Sequence, residues 1–215
     1  MMEPKINDYS SEERFLYLLL FAPGSTNEFN ERIIGNTWLQ KQMYLLKKII
    51  PGISISFDEC QFGAFSSELV ALQNRNIVEK IIVQKNKVGS MHLSETGLEI
   101  GQQLWNAASE SEMEDISNVK KFMNDMTREE LIAYSYSTFP NTAVNSDILD
   151  YFEETRVDAA CSLFSKDKVS LKKASSVAGM SVDDFVLELG RQNIPIFTVS
   201  ESAFKKSMDC LERIR

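Results

Sequence analysis

The chain has little of what several classes of protein need. Its 215 residues include one histidine, His92, and three cysteines that are widely spaced and never form a CxxC pair. A disulfide framework uses an even number of cysteines, and a cysteine-rich zinc site uses closely spaced ones, so the sequence indicates neither. Cys60, Cys161 and Cys210 are expected to be buried thiols.

Catalytic and nucleotide-binding patterns are also lacking. The sequence contains no GxxxxGK loop and no GxGxxG after a predicted strand. His92 alternates with Met91 and Leu93 on a predicted strand, and no serine, cysteine or carboxylate stands at a fixed spacing that would orient it. We therefore expect that the protein is not an enzyme and that it has no cofactor and no metal site.

Long apolar runs are missing as well. The longest run, 15–22, is far shorter than the roughly 20 residues that span a bilayer, and no basic flank with a cleavage site accompanies it. With 43% hydrophobic residues the chain can still bury sizeable cores. These features predict a cytoplasmic protein without membrane contact.

Positive charge is scarce and unevenly placed. The formal net charge is −8, of which residues 1–109 contribute −2, residues 110–158 contribute −8 and residues 159–215 contribute +2. Neutralisation of phosphates supplies most non-specific affinity for nucleic acid. The acidic middle is therefore a poor nucleic-acid surface, whereas the two flanks are close to neutral.

The first half of the chain contains helix and hairpin patterns in a recognisable order. Apolar spacing predicts helices over about 12–21 and 37–50 and a third that starts at Ser66 or Ser67. On the second helix, Lys41 is expected to lie away from the core. β-Branched residues predict strands over 81–85 and 90–93, and Ser94 begins a closing helix. This order predicts a winged helix, in which the third helix enters the major groove and the hairpin lies along phosphates.

Three short motifs in this half of the chain are similar to motifs of a known group of proteins. They are Gln40 to Leu46 (QKQMYLL), Phe62 to Leu69 (FGAFSSEL) and Leu93 to Gly97 (LSETG). With them, residues 16–105 resemble a group of small, mostly uncharacterised prokaryotic winged-helix proteins. Those proteins usually have tyrosine or proline near the position of Ala64.

The middle of the chain, residues 109–158, has helical spacing and no strand pattern. Thr127 and Glu130 form a capping box for one helix, Pro140 ends that run, and a longer helix is predicted over about 146–164. We expect this block to connect two domains or to pair with a second chain.

The last part, near 169–197, has the pattern of a helix-turn-helix. Ser170 and Ser181 are suitable N-caps, and Gly179 suits the left-handed turn between the two helices. The apolar stripes are Leu171, Ala174, Val177 and Ala178 on the first helix, and Val182, Phe185, Val186 and Leu189 on the second. Such a pair can present its second helix to DNA, and it is also an ordinary way to pack helices.

A second resemblance rests on three features of the sequence. They are the run VSLKKASSVAGMS (Val169 to Ser181), Phe185 and the segment Asn193 to Pro195. Residues 159–215 resemble short prokaryotic helix-turn-helix proteins that occur as antitoxin-like partners beside small toxin genes. Asn193 replaces a glycine of that pattern and tolerates the same left-handed backbone. The resemblance implies a role in binding DNA or a toxin.

These patterns predict a fold that is mainly α with a small β-hairpin (α+β). The expected parts are a winged-helix domain over 11–108, an acidic helical connector over 109–158 and a helix-turn-helix domain over 159–215. Candidate DNA contacts are Ser67, Asn74, Arg75, Lys80, Lys85, Lys87, Lys168, Lys172 and Lys173.

The function expected from this organisation is transcription regulation by DNA binding, with the antitoxin-like character that the second resemblance implies. Double-stranded DNA is the expected ligand, and a homodimer is expected because one winged helix with so few cations binds weakly alone. Asp183 and Asp184 would repel phosphates, so the N-terminal domain is the better DNA surface. The alternative is a protein-interaction adaptor or toxin-neutralising partner without direct DNA contact.

Overall fold

The computed structural model describes residues 9–60, 63–85, 89–142 and 147–196. It divides into two compact units, one ending at Thr155 and the other beginning at Arg156. Compactness alone does not establish a domain, so the three predicted domain limits stay predictions.

The predicted fold class, mainly α with a small β-hairpin, is confirmed. The described ranges contain nine α-helices, one short 3-10 helix over Pro140–Thr142 and two antiparallel hairpins. The α-helices are α1 (Ser11–Phe21), α2 (Asn36–Ile49), α3 (Ser67–Val78), α4 (Glu95–Ala107), α5 (Glu110–Met123), α6 (Arg128–Thr138), α7 (Leu149–Ser165), α8 (Leu171–Ala178) and α9 (Val182–Arg191). The strands are β1 (Asp58–Cys60), β2 (Gly63–Phe65), β3 (Ile82–Lys85) and β4 (Ser90–Leu93).

Helix α1 lies at the centre of the first unit. Ser10 caps it in a capping box with Glu13, and every residue from Phe15 to Phe21 is buried. A helix that is apolar on all sides is stable only when other elements surround it. Here α4, α5 and β4 pack around α1.

The hairpin β3–β4 is joined to the segment between α1 and α2. Ile33 and Met91 exchange two backbone hydrogen bonds of 2.9 Å. The Asn30 side chain donates to the Leu93 carbonyl at 3.1 Å and accepts from the Leu93 amide at 2.8 Å. These bonds fix the hairpin against the helical body.

Gly97 shows why the LSETG segment contains a glycine. A Cβ atom at this position would lie 2.4 Å from the Ile81 carbonyl oxygen, which is closer than real contacts allow. Helix α4 can therefore start directly beside the Ile81 backbone, which leads into β3, only because residue 97 has no side chain.

The sequence did not predict the hairpin β1–β2, and this hairpin overturns one expectation. Lys41, expected to lie away from the core, is only 4% exposed. Its Nζ donates to the Ala64 carbonyl at 3.4 Å and lies 5.6 Å from the centroid of the Tyr136 ring. The reason is that β2 and α6 cover a face of α2 that would otherwise be open.

The two helices of the predicted connector that lie before residue 139 belong to the first unit. Helix α5 packs against α1 and α2, and α6 packs against α2. Arg14 of α1 and Glu112 of α5 form two parallel hydrogen bonds of 2.8 and 3.0 Å. Together these contacts attach α5 to the helical body.

Helix α2 also contains a pair of buried glutamines with opposite properties. The Gln40 amide donates to the Ser66 carbonyl at 3.1 Å and accepts from the Ser66 amide at 2.9 Å. Both amide atoms of Gln42, which is fully buried, lack a hydrogen-bond partner among the described residues. A buried polar group without a partner costs free energy, whereas a bonded one does not.

We therefore expect Gln42→Met to raise the free energy of unfolding by about 1 kcal/mol, because methionine fills a similar volume without the amide. Gln40→Met, the matched control on the same helix, should lower it by about 1 to 3 kcal/mol because the Ser66 backbone loses both partners. Urea unfolding followed by tryptophan fluorescence measures both changes. A loss of stability in the Gln42 variant would contradict the expectation.

The second unit contains the predicted helix-turn-helix. Ser170 and Ser181 cap α8 and α9 as expected, and Gly179 adopts the left-handed conformation with φ of 70°. Asn193 is also left-handed, with φ of 56°. Most of the predicted stripes are buried, but Val182, the first residue of α9, is 40% exposed.

Candidate nucleic-acid interface

Helix α3 is fixed by its inner face. Ser66 caps it by accepting from the Leu69 amide at 3.0 Å, and Leu69 and Leu72 are buried. Near its other end the buried Asn76 accepts a hydrogen bond from the Tyr17 hydroxyl of α1. The bonds of Gln40 to the Ser66 backbone and of Tyr17 to Asn76 therefore set the orientation of α3 at both ends.

The outer face of α3 carries a continuous row of small or neutral side chains. We call this row the α3 stripe, and it consists of Ser67, Ala71, Asn74 and Val78. All four are exposed, and the exposed fraction of Val78 is 81%. Their spacing of three to four residues places them on one side of the helix. A large surface such as the major groove of DNA could approach this side closely.

Arg75, one of the predicted DNA contacts, is engaged within the chain. Its guanidinium forms an ion pair with the Glu13 carboxylate of α1, although its side chain remains 53% exposed. Glu68, on the same part of α3, accepts from the Ser56 amide at 3.0 Å. These carboxylates reduce the positive charge that α3 can offer to phosphates.

The hairpin lysines are described only in part. Lys80 is exposed just before β3 and has a left-handed backbone with φ of 60°. The Lys85 backbone pairs with Ser90 in the β3–β4 register, but its side chain is outside the described part of the structure, and Lys87 lies wholly outside it. The role predicted for the hairpin tip therefore stays a prediction.

The predicted basic cluster of the second unit lies before α8 and in its first turn. Lys172 is exposed, whereas Lys168 and Lys173 are half-buried. Burial lowers the pKa of Lys173 from its ordinary value. Cations are unfavourable in the first turn of a helix because the dipole is positive there. An anion beside α8 would relieve this repulsion.

Helix α9 offers a different surface. Phe185 is fully buried and lies edge-on to Phe164, with 6.3 Å between the ring centroids. Asp183 and Asp184 are exposed in its first turn, and Leu187 is 64% exposed. A negative surface with an exposed leucine suits a protein better than a DNA groove.

The turn between α8 and α9 depends on a residue that sequence reasoning missed. The Arg156 Nε donates to the Val177 carbonyl at 2.9 Å, near the C-terminus of α8, where the helix dipole favours a cation. A Cβ atom on Gly179 would lie 2.7 Å from the Arg156 guanidinium carbon. Glycine suits this position because of its left-handed backbone, and the Arg156 guanidinium occupies the space beside it. No local motif signals the contact, since the two residues are far apart in sequence.

Comparison with known proteins identifies one similarity. Residues 139–213 match the model of an uncharacterised protein family, UPF0175. The match covers about a third of the chain and includes α8 and α9. No curated protein and no solved structure matches the chain.

Two further findings concern the described residues alone. Within these ranges, no three histidine, cysteine, aspartate or glutamate side chains lie close enough together to hold a metal ion. None of the helices seen there is both long and apolar enough to cross a bilayer.

Proposed function

We propose that this chain is a cytoplasmic transcription regulator that binds double-stranded DNA through α3 and the β3–β4 hairpin and acts as a homodimer. The observation that carries the proposal is the α3 stripe, an open row of small side chains on a helix that directly precedes a hairpin. In winged-helix proteins this arrangement places the helix in the major groove and the hairpin along the backbone.

The chemistry of the stripe suits A·T-rich sequences. An asparagine can bond adenine through two hydrogen bonds, and alanine or another small apolar side chain can contact the thymine methyl group. Asn74 and Ala71 therefore match the two bases of one kind of base pair, with Val78 as a further methyl contact and Ser67 able to donate to or accept from a base edge.

The charges near α3 predict weak binding by a single copy. Arg75 is paired with Glu13, and Glu68 lies on the same helix, so Lys80 and the hairpin lysines Lys85 and Lys87 are the cations that remain for phosphates. Affinity for DNA rises with the number of phosphates neutralised. Two copies on one operator would compensate by avidity.

The first test is Asn74→Ala. We expect it to weaken binding to an A·T-rich duplex by about tenfold or more and to reduce the preference over a G·C-rich duplex, because a bidentate base contact is lost. Fluorescence anisotropy with labelled duplexes at several salt concentrations measures both. Asn118→Ala is the matched control, since Asn118 is an exposed asparagine on α5.

Reversal of the hairpin charges separates backbone contact from base contact. Lys85→Glu with Lys87→Glu should weaken binding to both duplexes equally and lower the dependence of affinity on salt.

If the wild-type chain binds no duplex even at low salt, the regulator proposal fails. If Lys172→Glu with Lys173→Glu abolishes binding instead, the DNA surface belongs to the second unit.

A second candidate function is a protein-interaction adaptor or toxin-neutralising partner without DNA contact. It is favoured by the surface of α9, where Asp183, Asp184 and Leu187 are exposed together. The resemblance of this region to antitoxin-like proteins supports the same function. Absence of DNA binding, combined with inhibition of a co-expressed toxin encoded beside this gene, would select it over the first.

A further inference from the structure

Helix α9 has an outer face that is complementary to itself. We call Asp183, Asp184, Leu187, Gly190 and Arg191 the α9 outer face, and all five residues are exposed. At 100° per residue, these positions lie within about 60° of Leu187 on the helix circumference. Leu187 is the centre of this face, and the other four positions are arranged evenly around it.

The order of charges along this face is the basis of the complementarity. Asp184 is three residues before Leu187 and Arg191 is four residues after it, and at 100° per residue both lie on the same side of Leu187, at about 60° and 40°. If a second α9 lies antiparallel to the first, with a two-fold axis at Leu187, residues on the same side of the face meet, so the Asp184 carboxylate of each copy faces the Arg191 guanidinium of the other. The two leucines then meet each other on the axis, as an isologous interface requires.

Gly190 allows the two helices to come close. A Cβ atom at this position would meet no other atom within 4 Å, so the space outside Gly190 is open. In the antiparallel arrangement Gly190 faces Asp183 of the other copy, because both lie on the side of Leu187 away from Arg191. A residue without a side chain shortens the distance between helix axes below the usual 8 to 10 Å.

The helix dipole and the contacts within α9 explain only part of this arrangement of charged and apolar residues. The helix dipole explains acidic residues in the first turn and a basic residue in the last. Arg191 also bonds Glu188 within the same helix at 3.0 Å, although its side chain remains 73% exposed and keeps further donors available. Neither explanation accounts for Leu187, which is 64% exposed at the centre of the face.

We propose that a second copy of this chain binds the α9 outer face, so that two α9 helices pair antiparallel about Leu187. This proposal deepens the dimeric part of the proposed function by naming the contact that joins the copies. One pair of ten-residue helices buries less than the roughly 1,600 Å² of a standard interface, so we expect a reversible dimer of about micromolar affinity.

Sedimentation equilibrium of the full chain without DNA tests the proposal. The wild-type chain should change from monomer to dimer as its concentration rises, and Leu187→Glu should raise the Kd of the dimer by about thirtyfold or more, because the central contact is lost. Ile49→Glu is the matched control, an exposed isoleucine at the end of α2, and should leave the Kd within about twofold. Dimerisation is measured separately from DNA binding, so failure of one proposal is distinguishable from failure of the other.

Charge reversal identifies the antiparallel pairing. Asp184→Arg and Arg191→Asp should each raise the Kd by about threefold to tenfold, because each puts like charges opposite each other twice in the dimer. The double variant should return the Kd to near the wild-type value. Both substitutions oppose the helix dipole, so recovery in the double variant cannot come from a more stable helix.

Three results would overturn the proposal. They are a monomer at all concentrations, a dimer that Leu187→Glu leaves intact, and a double variant that is no better than the single ones. The first would leave the face to a different protein.

Discussion

Phe185→Ala is expected to lower the free energy of unfolding of the second unit by about 3 to 5 kcal/mol, the usual cost of removing a fully buried aromatic side chain. Phe185 is 0% exposed and its ring is edge-on to that of Phe164. The ring contact between α7 and α9 would be lost, and a cavity would remain. In so small a unit, this loss is a large part of the total stability.

Hydrogen exchange followed by mass spectrometry measures this loss of stability within the second unit itself. Both tryptophans of the chain, Trp38 and Trp105, lie in the first unit, so their fluorescence does not report directly on the second. Peptides from α8 and α9 should exchange faster in the variant. Val182→Ala, which removes methyl groups from an exposed residue of α9, should leave them unchanged within about 0.5 kcal/mol. Slow exchange in the Phe185 variant would show that the ring is not a core contact.

The second prediction concerns a buried lysine in the first unit. The Lys120 ammonium of α5 donates to the Leu20 and Ala22 carbonyls, each at 2.8 Å, at the C-terminus of α1. Its side chain is 0% exposed. Burial lowers the pKa of Lys120 to about 7, against the opposing attraction of the Glu31 carboxylate. In the unfolded chain the ordinary pKa of about 10.5 returns.

This difference in pKa makes stability depend on pH with a definite sign. Between the two values the unfolded chain binds more protons than the folded chain, so the free energy of unfolding rises with pH. From pH 7 to pH 9 the rise should be about 2 kcal/mol, since each unit of pKa corresponds to about 1.4 kcal/mol. Below pH 7 the contribution levels off because both states are protonated.

Urea unfolding followed by tryptophan fluorescence at a series of pH values measures this rise. Lys120→Met should remove it and give a flatter profile over the same interval. Lys80→Met, which changes an exposed lysine of the same unit, should keep the wild-type slope. A Lys120 variant with an unchanged slope would show that another group is responsible.

The helices and the β3–β4 hairpin could be predicted because their signals are local. Apolar spacing places α1 to within about one residue, and Ser170, Gly179 and Ser181 identify both ends of α8 and the start of α9. The short hairpin β1–β2 was missed because its strands have three residues each and no alternating pattern. The burial of Lys41 follows from that hairpin and could not be predicted without it.

The candidate surfaces were predictable only in part, because exposure depends on the tertiary contacts. The spacing of α3 already places Ser67 and Asn74 on its outer side, but the pairing of Arg75 with Glu13 joins residues 62 positions apart. Leu187 lies outside the predicted apolar stripe of α9, and this was a signal that it faces outward. Arg156 gives no such signal, since its contact with α8 spans 21 positions.

The bonds from Ile33 and Asn30 to β4 also affect how the protein avoids aggregation. A strand at the border of a sheet has unsatisfied amides and carbonyls that can recruit a strand from another molecule. Here the Ile33 backbone and the Asn30 amide occupy the outward groups of Met91 and Leu93. That border of the sheet is therefore closed to strands from other molecules for as long as the loop before α2 keeps its place.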